Sequence, residues 1–155
     1  MNVFSLCVTA LGLWTSHAAD WFEPRLPAMQ SVCEEVAEEA LERGEDPALF
    51  VSLAWEESRF RYVESSAGAV GPLQALPRHW CPNGQERGCD LIDAGFAAYD
   101  AFRERFPDLR ETLCHYNAGT RACPDSSYAY ADRILARYDE LLHEMSESRY
   151  HVCSC

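Results

Sequence analysis

Apolar residues recur at helical spacing along most of the chain. From Pro27 to Arg43 they fall at Met29, Val32, Val36 and Ala40, with Cys33 beside them, and Gly44 stands at the stop position of an amphipathic helix. Pro47 suits the first turn of a second helix, which runs through Leu49, Phe50, Leu53 and Ala54 to Glu57. Arg78 to Asp90, with Pro82, Asn83, Gly84 and Gly88, reads as a loop. Helical spacing returns from Asp93 to Phe106 through Phe96, Tyr99, Ala101, Phe102 and Phe106, and ends at Pro107. Asp108 caps a helix leading to Tyr116, and a last helix runs from Tyr128 to Ser146 with Ile134, Leu135, Tyr138, Leu141 and Leu142 inward. The only strand signal is a short hairpin around Gly68 to Leu73. The pattern predicts one mainly α domain.

One polar residue breaks the apolar pattern. With Leu49 at zero and about 100° per residue, Leu53 falls at about 40°, Phe50 at about 100° and Ala54 at about 140°, so Glu57, at about 80°, lies inside the apolar arc. Glu56, at about 340°, falls at its margin beside Ser52 and Arg59, on the side expected to be wet. A carboxyl in an apolar setting resists ionisation and can hold a proton near neutral pH, as a general acid must. The alternative is a helix end from which a glutamate snorkels into water.

Composition narrows the choices. A chain of 155 residues with 48% hydrophobic content supports one domain that folds alone as a monomer. Net charge is −12, and all thirteen basic residues are arginine, which argues against nucleic acid as a partner. The acidic run Glu34, Glu35, Glu38, Glu39, Glu42, Glu45 and Asp46 reads as a solvated face. Residues 1–19 carry no charge, hold an apolar run from Val3 to Trp14 and end in Ser16-His17-Ala18-Ala19, the pattern of a cleaved export signal; an uncleaved anchor is the alternative. No stable membrane span is expected after cleavage, so the mature domain would be 20–155.

Cysteine usage agrees with export. With Cys7 in the signal, seven remain, an odd number: Cys33, Cys81, Cys89, Cys114, Cys123, Cys153 and Cys155. The expected pairs are Cys81 with Cys89, Cys114 with Cys123, and Cys33 with either Cys153 or Cys155 in a cysteine-containing tail. The rival is a zinc site, but the spacings are not those of a zinc knuckle. A nucleophilic Cys114 acting with His115 is also conceivable, although adjacent residues on a helix point apart.

Four blocks carry a family likeness. They are Glu57-Ser58-Arg59-Phe60; Ser66-Ala67-Gly68-Ala69-Val70-Gly71 continuing through Gln74 to Pro77; Tyr116-Asn117-Ala118-Gly119; and Tyr130-Ala131-Asp132-Arg133-Ile134. In this order they resemble the soluble lytic transglycosylases, whose domain is similar to goose-type lysozyme, over roughly Cys33 to Leu142. The resemblance implies a lysozyme-like fold. It also implies cleavage of the bond between N-acetylmuramic acid and N-acetylglucosamine in peptidoglycan strands, with Glu57 as both acid and base, a 1,6-anhydro product and no metal or organic cofactor. By the same likeness Ser65 or Ser66 would bond the sugar acetamido region, Gln74 a sugar, and Tyr116 would orient Glu57 or the sugar. Asn117 would touch substrate or hold a helix end, and Tyr130, with Tyr128 as competitor, would line the groove.

The likeness has departures. The segment from Glu57 to Gly68 is one residue shorter than the common pattern, and Pro72 stands where a bulky apolar residue is usual. Trp80 is a better sugar platform than Trp55. A hydrolytic goose-type lysozyme and an inactive secreted glycan-binding or adaptor domain are the alternatives. Family analogy places such enzymes in the periplasm or cell envelope, beside a secretion or conjugation apparatus, or in the service of a phage.

Overall fold

The structure, a computed structural model, describes residues 2–152. Among them are six helices of ten residues or more: α1 (Val3–Thr15), α2 (Leu26–Glu42), α3 (Pro47–Ser58), α4 (Leu91–Arg105), α5 (Leu109–Ala118) and α6 (Asp125–Val152). The chain is mainly helical, as expected, and among the described residues the hairpin region holds only isolated antiparallel bridges, Glu64 with Val70 and Val70 with Ala75. Three N-termini are fixed by aspartate caps. Asp46 accepts from the Ala48 amide at 2.9 Å, Asp90 from Ile92 and Asp93 at 3.0 Å, and Asp108 from Glu111 at 3.0 Å. The Asp90 cap starts α4 earlier than the apolar spacing alone suggests. Ala101, expected inside, lies exposed on α4, and the expected loop contains one helical turn, Pro77–Trp80.

Helix α3 is the centre of the fold. Every residue from Pro47 to Trp55 is buried, including Ser52, whose hydroxyl donates back to the Ala48 carbonyl at 2.8 Å. The wet side expected for this helix is covered, by α6 at Glu56 and by α1 where Trp14 meets Trp55. Leu6, Cys7 and Ala10 are fully buried, and the Trp14 ring packs 5.4 Å from Trp55. The Trp14 indole also donates to Glu140 on α6 at 2.9 Å. Phe22 and Phe60 complete the aromatic cluster around Trp55.

Helix α1 is also tied covalently. Cys33 bonds Cys7, not Cys153 or Cys155, which lie outside the described residues. Its partner thus lies in the segment whose sequence has the form of an export signal. The pairs Cys81–Cys89 and Cys114–Cys123 are those expected. Among the described residues no helix is long and apolar enough to cross a membrane. The acidic residues Glu35, Glu38 and Glu42 lie exposed on the outer face of α2.

Candidate active site

The site forms where the end of α3 meets the loop 61–76, the end of α5 and the start of α6. After Glu57 the chain reverses sharply: Arg59 and Phe60 both take left-handed backbone conformations, with φ of 57° and 54°. A bulky residue there is strained, and burial of Phe60 in the aromatic cluster holds it. Ser58, beside Glu57, donates from its hydroxyl to the Pro72 carbonyl at 2.8 Å and accepts from the Arg61 amide at 3.1 Å. It thereby pins the glycine-containing loop to the helix end. Leu73 of that loop lies against α4 at Gly95, where a Cβ would come within 2.4 Å of the leucine side chain. Any larger residue would push the loop away.

Glu57 is half-buried, and its Oε1 accepts a hydrogen bond from the Tyr130 hydroxyl. Burial raises its pKa to about 7; the Tyr130 bond opposes this, and the neighbouring Glu56 carboxylate adds to it. With Oε1 engaged by a donor, the acid proton belongs on Oε2, which has no hydrogen-bond partner among the described residues. Burial and the Glu57 charge push the Tyr116 and Tyr130 phenols well above their ordinary range, so both remain donors. Tyr116 donates to the Leu73 carbonyl at 2.6 Å.

Glu56 is not at a wet margin. Its side chain is 8% exposed and pairs with Arg133 and Arg137 of α6, each at 2.7 Å, one turn along from the Tyr130–Glu57 contact. These neighbours give opposite handles on Glu57. Tyr130→Phe removes a donor that favours the carboxylate and is expected to move the Glu57 titration upward by about one pH unit. Glu56→Gln removes a like charge and is expected to move it downward. Carboxyl titration followed by isotope-edited NMR checks both, and a common direction for the two variants would contradict this geometry.

A cleft of about 630 Å³ lies alongside, with Trp80, Phe102, Tyr116 and Arg121 in its walls. Glu57 is not part of its lining. Tyr116, which couples electrostatically to Glu57, is the side chain common to both environments.

The expected site residues divide. Gln74 and Asn117 also line the cleft, but both are engaged. The Gln74 amide donates to the Val63 and Gly71 carbonyls at 2.8 and 2.9 Å, holding its own left-handed backbone (φ 51°), and the Asn117 side-chain oxygen accepts from the Ser127 hydroxyl at 2.8 Å. Ser65 and Ser66 do not line the cleft; the Ser65 hydroxyl accepts from the Ala69 amide at 3.0 Å and shapes a turn. Tyr130 touches Glu57 rather than the cleft wall. Tyr128, its competitor, donates to Glu111 at 2.7 Å. Trp55 is core, whereas Trp80 lines the cleft.

Cys114 is no nucleophile here, since its sulfur is bonded to Cys123. Glu111, His115 and Cys123 bring possible metal donors within 4.8 Å of one another, but the disulfide engages the Cys123 sulfur, and a thiolate is what a metal takes. His115 instead bonds through Nδ1 to the Gly119 carbonyl at 2.8 Å and stacks on Phe106. Sequence reasoning gave no role to Ser58, Gly95 or the Glu56 ion cluster. The side-by-side Glu56-Glu57 pair with arginines at 133 and 137 was the available signal for the last. Comparison of the chain with family models, curated proteins and solved structures returned no match.

Proposed function

We propose that the protein is a lytic transglycosylase that cleaves the bond between N-acetylmuramic acid and N-acetylglucosamine in peptidoglycan. The observation that carries this reading is Glu57, a half-buried carboxyl bonded by the Tyr130 phenol, with a pKa raised to about 7, which can both give and take a proton near neutrality. The order of the four sequence blocks supports the same reading. Oε2 gives its proton to the leaving glycosidic oxygen as the bond from the anomeric carbon breaks. Tyr130, donating to Oε1, steadies the carboxylate that results. The carboxylate then takes the proton of the muramoyl 6-hydroxyl as that oxygen attacks the anomeric carbon, closing the 1,6-anhydro ring and returning Glu57 to its acid form. No water is consumed. The strand would lie along the cleft, with Trp80 as its aromatic platform and Tyr116 linking cleft to acid. Export to an oxidising compartment, where peptidoglycan is found, suits the three disulfides.

Digestion of purified cell wall, followed by product masses, tests the proposal. Anhydro ends, lighter than hydrolytic ends by one water, are expected. Hydrated reducing ends would make the protein a lysozyme-type hydrolase, and no products from folded protein would end the enzymatic reading.

A further inference from the structure

The acidity of the chain as a whole argues against electrostatic capture of an anionic polymer, yet the cleft inverts it. No aspartate or glutamate lines the cleft, although the chain carries 25 of them; the charged residues there are Arg78 and Arg121, and His79, Trp80 and Phe102 share the lining with them. Neither arginine forms an ion pair among the described residues. The Arg78 guanidinium donates instead to His79 Nε2 at 3.1 Å. Arg25, Arg61, Arg87 and Arg105 likewise lack an ion pair among the described residues, so what sets the cleft apart is that two arginines and an aromatic wall share a lining free of carboxylates.

From this cleft we infer a binding site for a carboxylate-bearing glycan strand, in which Arg78 and Arg121 hold the carboxylate while Trp80 packs against a sugar face. A guanidinium offers two parallel N–H donors that match a carboxylate. The acidic surface outside the cleft repels the same ligand, so the charge pattern directs it to one place. This rests on the glycan reading above and makes it narrower: the enzyme discriminates against neutral N-acetylglucosamine polymers. The carboxylate has two sources on a muramoyl strand, the lactyl group itself or the stem peptide attached to it.

Binding to the Glu57→Gln protein, measured by calorimetry at low and high salt, separates these sources. The probes are a tetramer of N-acetylglucosamine, an alternating tetramer with free lactyl carboxylates, and the same tetramer carrying stem peptides. At least one anionic probe is expected to bind about tenfold tighter than the neutral one at low salt, with much of that advantage lost at high salt. The stronger of the two names the source. Arg78→Gln with Arg121→Gln, shown folded by circular dichroism, is expected to remove the preference. Equal binding of neutral and anionic probes, no binding at all, or a preference that survives both substitutions would overturn the inference. If anionic binding depends on the arginines and the parent protein still releases nothing from cell wall, the binding site stands and the cleavage reading fails.

Discussion

Glu57→Gln should lose at least about a thousandfold in cell-wall cleavage while keeping its fold. A single general acid or base contributes about 10²–10⁴-fold, and here one group serves both halves of the reaction. Glutamine matches the shape of the carboxyl and can still accept from Tyr130, so the surrounding contacts survive. The same substitution has a second signature that does not depend on activity. The carboxyl titrates at about 7 in the fold against 4.5 in an open chain, so between these values the folded protein holds a proton that the unfolded chain has released. Its contribution is therefore complete below 4.5, declines as pH rises, and above 7 leaves a cost on the order of 3 kcal/mol. Glutamine carries no such cost. Chemical denaturation should find Glu57→Gln more stable than the parent at pH 8 and equal to it at pH 4. A stability difference that is the same at both values would place Glu57 in water, and the general-acid argument would go with it.

What the sequence made legible, and what it did not, follows from how local each signal is. Glu57 could be placed inside the apolar arc because 3.6-residue periodicity needs only the helix itself. Asp108 was readable as a cap for the same reason, since a capping side chain reaches only two or three residues along. Glu56 departs from the expected wet margin because Arg133 and Arg137 of α6, far along the chain, cover and pair it, and the buried Ser52 hydroxyl turns back on its own helix at the Ala48 carbonyl. The partner of Cys33 is hidden differently: Cys7 sits in α1, whose apolar run has the form of an export signal. Gln74 illustrates a different gap: a polar residue in a glycine-containing loop suggests a ligand contact, but its amide satisfies the loop's own carbonyls. Ser58 and Gly95 act through contacts with residues distant in sequence, to which no periodicity points.

Removing residues 1–19 should cost the protein about 5 kcal/mol or more, a loss comparable to the whole stability of a small domain. Leu6, Ala10, Leu11 and Trp14 would leave the core, and the faces they cover on α2, α3 and α6 would meet water. The Cys7–Cys33 bond would go as well; on its own it is worth about 2–4 kcal/mol for a chain closure of this kind. Part of this is returned because α1 no longer has to be ordered, which is why the net figure is smaller than the sum of its contacts. Urea denaturation of chain 20–155 against the full chain, both under oxidising conditions, measures the loss directly. The Cys7→Ser, Cys33→Ser pair should fall between them, isolating the covalent term from the packing term. The consequence reaches the site, because Trp14 supports Trp55 two residues before Glu57, and both pack with Phe60 at the strained reversal after it. The truncated chain should therefore bind ANS and lose the near-ultraviolet signal of its tryptophan cluster. Equal stability and no ANS binding would instead show that α1 is dispensable to the fold, as a segment removed during export would have to be.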